Sequence, residues 1–206
     1  MFLKKNVRRI LLILGMITLV GVVFYSVGRL KFHKPIQGLG VMKYKTFKTQ
    51  NPALDFTFEY PSRGWSFEES QGRMEKYDVV YLRGPVDKDK KSGTLIYVTV
   101  RPMGVDKSAS ALLESYLGID SNLDEFKMLR KETVTVAREK ASAALYQYKT
   151  IPSVRIEDPL VLFKKRMIFS IRNDRSYELT LITSAAQYDI CAPVFEHVLK
   201  TFKFKE

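Results

Sequence analysis

With 206 residues, 46% of them hydrophobic, the chain has room for one domain of ordinary size with a buried core, plus an appendage. Its formal charge of +12 is unevenly placed: Lys4, Lys5, Arg8, Arg9, Arg29, Lys31 and Lys34 crowd the first 34 residues without an acid among them. The remainder has only a mild basic excess, which argues against a dedicated nucleic-acid binder.

Residues 1–9 form a basic tail. Residues 10–27 are apolar or glycine except for Thr18, Tyr25 and Ser26. As a helix such a run rises about 27 Å, close to the ~30 Å hydrocarbon core of a bilayer, so the sequence predicts a transmembrane anchor over residues 10–28. A removable signal peptide is the alternative, but its apolar core is usually shorter, Ser26-Val27-Gly28 is a poor cleavage site, and no lipoprotein cysteine follows. A short tail with four cations resists translocation, whereas a long domain crosses largely regardless of charge. The predicted localisation is therefore a single-pass membrane protein with a cytoplasmic N-terminus and an extracytoplasmic domain.

Residues 29–53, punctuated by Pro35, Gly38, Gly40 and Pro52, lack helical periodicity and are predicted to be a juxtamembrane linker. Within it Lys43, Tyr44, Lys45, Phe47 and Lys48 combine cations with aromatic rings, a composition suited to contact with anionic headgroups or a neighbouring protein. A solvated spacer or an added edge strand would account for the same residues.

The domain is predicted to span residues 54–206. It opens with Leu54, Phe56, Phe58 and Tyr60 alternating with Asp55, Thr57 and Glu59, the period of a strand, which Pro61 ends. Trp65, the only tryptophan, follows a Pro-Ser-Arg-Gly turn and is expected to pack at the core boundary. Further strands are predicted over 77–84, 94–102, 132–137, 142–150, 166–172 and 176–184, the last two joined by a tight turn at Asn173-Asp174. The strand at 94–102 is apolar on both faces, so it should be central and covered on both sides. Asp106 or Ser108 would cap a helix through Leu112, Leu113, Tyr116 and Leu117, ended by Gly118. A third helix is possible around 123–129. Cys191, Phe195, Val198, Leu199 and Phe202 form the apolar stripe of a closing helix, with Pro193 in its first turn and Glu196 and Lys200 paired on its exposed side.

Reactive chemistry is sparse in this pattern. Of the two histidines, His33 lies in the linker and His197 on the polar side of the last helix, beside residues that are not metal ligands. Cys191 excludes an internal disulfide, fits either redox compartment, and sits on an apolar stripe as a buried thiol would. Residues 86–93, VDKDKKSG, superficially resemble a calcium loop but place Lys91, Ser92 and Val98 where that loop needs a ligand, glycine and glutamate. Acids gather as Glu68, Glu69, Glu75 and Asp78 and as Asp120, Asp124 and Glu125, spacings that suit a solvated face better than a cation site. The motifs of nucleotide-binding loops, nucleophile elbows and zinc proteases are absent. No cofactor or metal is expected, and the chain is read as non-enzymatic.

Three segments together, FTFEYPSRGW, DKSASALLESYLG and SYELTLITSAAQYDICAPVFEHVLKTFKF, resemble the PsbP family, which takes its name from an extrinsic protein of photosystem II and includes bacterial PsbP-like proteins attached to membranes. The resemblance covers residues 54–204. It implies an α+β fold, an α/β/α sandwich around a central antiparallel sheet, here preceded by one transmembrane helix. It also implies a non-catalytic accessory role, docking on a larger membrane complex, photosynthetic or otherwise electron-transferring, with the bilayer and that complex as partners. A carrier or sensor of a small ligand or lipid is the alternative. Many relatives are lipoproteins, whereas this chain lacks the lipidated cysteine, and no ion-retention residue of the photosystem protein maps onto a position here.

Overall fold

Alternating strands dictate one dominant sheet. The computed structural model describes residues 42–71, 77–86, 92–104, 108–152 and 159–205. They belong mainly to one unit, residues 32–150 and 161–206, while the other, residues 1–31 and 151–160, falls mostly outside the described residues. The predicted tail, the anchor over 10–28 and the linker up to residue 41 also lie outside them. No helix among the described residues is long and apolar enough to cross a membrane.

In chain order the elements are β1 (Tyr44–Thr46), β2 (Phe56–Thr57), β3 (Glu59–Pro61), β4 (Ser66–Gln71), β5 (Asp78–Val86), β6 (Gly93–Pro102), α1 (Ala109–Asp120), β7 (Asp124–Val136), β8 (Glu139–Thr150), β9 (Val161–Arg172), β10 (Arg175–Ser184), α2 (Tyr188–Thr201) and β11 (Lys203–Phe204). Seven strands form an antiparallel sheet in the order β4-β5-β6-β10-β9-β8-β7. Two small pairs, β1-β3 and β2-β11, lie apart from it. Because successive side chains point to opposite faces, Ile96, Val98, Leu179, Leu181 and Ile168 join the cluster under α2, while Ala144, Tyr146, Phe163, Met167 and Phe169 join that under α1. The sheet is thus covered by a helix on each face, as the sandwich requires.

Several local signals act as written. Ser108 caps α1 through a 3.1 Å bond from the Ala111 amide to its hydroxyl oxygen. Asn173 and Asp174 both have positive φ, 49° and 55°, the geometry of a two-residue hairpin turn. Trp65 is 3% exposed, and its indole lies flat over Gly84: a Cβ there would stand 2.6 Å from the ring. Gly84→Ala is therefore expected to cost about 1–3 kcal/mol by overpacking. Urea unfolding followed through Trp65 fluorescence measures this directly. The indole Nε1 has no hydrogen-bond partner among the described residues, unlike most buried tryptophans.

Elsewhere the structure corrects the sequence reading. Residues ahead of Leu54 already belong to the fold, because β1 pairs with β3, in keeping with the edge-strand alternative for this stretch. Residues 124–129 are strand, not helix: Asp124 pairs with Lys149, Phe126 packs on Tyr146 at 5.2 Å, and bulges between Asp124 and Arg130 break the period-two signal. Gly118 does not end α1. Two further residues continue it, and the Ser121 hydroxyl and Asn122 amide then donate to the last free carbonyls. Pro193 stands inside α2, which starts at Tyr188. Glu196 pairs with Arg166 across to β9 instead of with Lys200.

Candidate binding surface

On the α1 side of the sheet, register brings together side chains that are distant in sequence. Tyr81 of β5 lies opposite Tyr97 of β6, which lies opposite Thr180 of β10; one step along, Thr99 lies opposite Glu178. Glu178 is 4% exposed, so its carboxylate needs donors to offset lost hydration. It has them: the Tyr97 hydroxyl donates at 2.7 Å, the Thr180 hydroxyl at 3.2 Å, and Arg101 stands 3.9 Å away. Burial and then the Glu178 charge hold the Tyr97 hydroxyl well above its ordinary pKa.

Around this centre lies a rim of rings and guanidinium groups. Arg101 sits over Tyr77 at 5.1 Å and over Tyr116 at 5.6 Å, and Arg83 sits over Tyr81 at 5.9 Å while pairing with Glu68 at 3.0 Å. Burial chiefly, with Tyr77 reinforcing and Arg83 opposing, pushes the Tyr81 hydroxyl up to about 12. The Nε atoms of Arg83 and Arg101 are buried without a hydrogen-bond partner among the described residues.

A second carboxylate lies at the end of α1. Asp120 is the last helical residue, where an acid opposes the helix dipole. Lys165 donates to it at 2.8 Å and the Tyr146 hydroxyl donates to it as well. Burial first and Asp120 next keep Tyr146 protonated, and burial does the same for Tyr148. Both carboxylates are engaged by donors and the tyrosines around them are neutral. The chemistry such an arrangement offers is recognition through donors and ring faces.

The contact residues read from the sequence separate into two groups. Lys43, Lys45 and Lys48 are exposed, with the Lys45 ammonium 4.8 Å above the Tyr60 ring. Phe47 is not available for contact: it is fully buried and stacks on Phe58 at 4.9 Å. Tyr44 stacks on His197 at 3.7 Å, and His197 Nε2 lies 2.9 Å from Glu59 Oε2. His197 is thus the clasp between α2 and the β1-β3 ribbon instead of an open surface residue. Cys191 is buried as expected, in contact with the Thr94 hydroxyl at 3.2 Å, and burial raises its thiol pKa.

The two acidic gatherings do not converge. Glu68 goes to Arg83, Glu69 accepts from Thr49, Asp78 accepts from Asn51, and Glu125 goes to Lys149; Glu75 lies outside the described residues, as do residues 87–91 of the loop tested for calcium. No cluster of three or more His, Cys, Asp or Glu suited to a metal occurs among the described residues. A shallow cleft of about 370 Å³ between α1 and the β7-β8 hairpin is lined by Ser110, Leu113, Lys131, Glu132, Thr133 and Ser142, a mostly polar set. Sequence reasoning missed Glu178 and its partners. The one available signal was the pairing of Tyr81 with Tyr97 across a β-hairpin.

No protein-family model matches the chain, and no curated protein matches it in sequence. Solved structures do. LpqN of Mycobacterium tuberculosis, described as involved in cell envelope biogenesis, aligns with a TM-score of 0.53 at 11% identity, covering 81% of this chain and 93% of LpqN. Cyanobacterial PsbP (CyanoP) of Synechocystis aligns with a TM-score of 0.52 at 13% identity, covering 82% of this chain and 97% of CyanoP. At such identities the likeness speaks to fold alone, and the fold is PsbP-like.

Proposed function

We propose that this chain is a single-pass, membrane-anchored docking module, non-catalytic and free of cofactors, which presents a PsbP-like domain on the extracytoplasmic side to a larger membrane protein complex. The observation that carries the reading is the surface around Glu178, where Tyr77, Tyr81, Tyr97, Tyr116, Arg83 and Arg101 are held in place by strand register and ring stacking. Tyrosine and arginine are the side chains most enriched where protein interfaces gain their affinity. Pre-ordering long side chains before contact lowers the entropy cost of association. The guanidinium groups of Arg83 and Arg101 keep some exposed surface, 11% and 29% of each side chain, through which they would meet a partner's carboxylate or carbonyl. The apolar run over residues 10–27 supports the anchor, and the cationic tail supports the orientation. The fold it shares with LpqN, a protein of cell envelope biogenesis, suits a partner in the envelope.

Native separation of gently solubilised membranes tests the reading. The wild-type chain is expected to migrate with a larger assembly, and a Tyr81→Ser/Arg83→Ser variant to shift at least in part to the free chain. An Arg138→Glu change in the β7-β8 turn, at the far edge of the sheet, should leave migration unaltered. Migration of the wild-type chain as a free monomer would contradict the proposal.

A further inference from the structure

Phe67 on β4 is 42% exposed, yet it is fixed: its ring stands edge-on to Phe47 at 5.5 Å and to Tyr60 at 5.7 Å. Lys45 shares the Tyr60 ring with it, the ammonium lying 4.8 Å from the centroid. Lys48 follows Phe47 directly and is exposed. Lys43 and Arg63, both exposed, are neighbours across the strand ends, because the Ser62 amide donates to the Lys43 carbonyl at 2.8 Å. Of the acids nearby, Glu59 is engaged by His197 and Glu68 by Arg83, while Glu69, which accepts from Thr49, keeps its charge as the one acid on the same side of β4 as Phe67 among the described residues. An exposed aromatic ring bordered by cations is the composition of a bilayer-interface contact.

Position along the chain selects the occupant. Fourteen residues, 28–41, separate the apolar run from Met42, and they include Arg29, Lys31 and Lys34 but no acid. Fully extended they reach at most about 50 Å, so β1, the first described strand along the chain, lies within that distance of whatever surface holds residues 10–27. We propose that Phe67, Lys43, Lys45, Lys48 and Arg63 form a face that docks on anionic lipid headgroups of the bilayer in which the N-terminal segment is lodged. This rests on the anchor reading above, and it leaves the Tyr81–Arg83 surface for the protein partner: Phe67 and Glu68 are neighbours on β4 whose side chains leave opposite faces of the strand.

The test uses the full chain with Phe67→Trp, reconstituted in vesicles of brominated phosphatidylcholine with or without phosphatidylglycerol. Buried Trp65 sets the wild-type baseline. The variant is expected to show bromine quenching above that baseline in vesicles containing phosphatidylglycerol, reduced about threefold or more by high salt or by adding Lys45→Glu and Lys48→Glu. Quenching at the baseline, or quenching indifferent to phosphatidylglycerol and salt, overturns the inference. Shielding of the new indole from both lipid bromine and aqueous iodide would assign the face to a second copy of the chain, which also overturns it. Carbonate washing of the same vesicles separates the two readings: release of the chain contradicts the anchor and this face together, whereas a retained but unquenched chain contradicts the lipid face alone.

Discussion

Phe47→Ala is expected to destabilise the domain by about 3–5 kcal/mol, the usual cost of truncating a fully buried phenylalanine. Phe47 has no exposed surface and stacks on Phe58 at 4.9 Å and Phe56 at 5.8 Å, with Phe67 edge-on at 5.5 Å. Its amide also donates to the Phe58 carbonyl at 2.8 Å, so the residue ties β1 to the core through both side chain and backbone. The adjacent Lys48 is exposed, and Lys48→Ala should change stability by no more than about 0.5 kcal/mol. Urea midpoints of the two variants, read through Trp65, make the comparison. A small effect at both positions would mean that this stretch is a linker after all.

Alkaline pH is expected to remove stability steeply once it passes 10. The Tyr97, Tyr146 and Tyr148 hydroxyls are all raised, chiefly by burial, with Glu178 assisting at Tyr97 and Asp120 at the other two. In the unfolded chain tyrosines ionise near pH 10, while in the folded chain these three remain protonated. Their stabilising contribution is therefore complete below pH 10 and is lost as pH climbs toward the raised folded values. Each group costs about 1.4 kcal/mol per pH unit in that window, so the three together cost about 4 kcal/mol per unit. Against a total stability on the order of 5–15 kcal/mol, the domain should unfold within roughly one to four pH units. Tyr81 and Tyr177, each raised to about 12, act in the same direction. Tyr146→Phe removes one titrating group and should flatten the fall by about 1.4 kcal/mol per unit. Urea midpoints between pH 9 and 11, with phenolate absorbance recorded in parallel, check this; a midpoint flat through that range would contradict it.

Legibility followed the range of the interaction. Elements governed by neighbours in sequence were readable: the Ser108 cap, the Asn173-Asp174 turn, the alternation in β6 and β10, and the stripe of α2 through Cys191, Phe195 and Val198. Residues 123–129 misled because Leu123 and Phe126 stand three apart, as on a helix, whereas the pairing of Asp124 with Lys149 decides the outcome from a distance. The β1 ribbon was too short for any period to show, and its clasp, Tyr44 on His197, joins residues about three-quarters of the chain apart. The turn before Trp65 marks it locally as a core-boundary residue, yet nothing local indicates that Gly84 is its floor. The surface around Glu178 was hidden for a related reason. In SYELTLITS an acid between apolar residues reads as the solvent side of a strand, and only Tyr97 on a neighbouring strand turns that position into a buried, satisfied carboxylate.

Photocrosslinking from the tyrosine–arginine surface tests the docking account most directly. With benzoylphenylalanine in place of Tyr81 in the membrane-embedded chain, irradiation is expected to give a discrete adduct of higher mass. The same group in place of Arg138, at the opposite edge of the sheet, should give none. Adducts of equal pattern from both positions, or none from position 81, would contradict the claim that this surface is where the domain meets its partner.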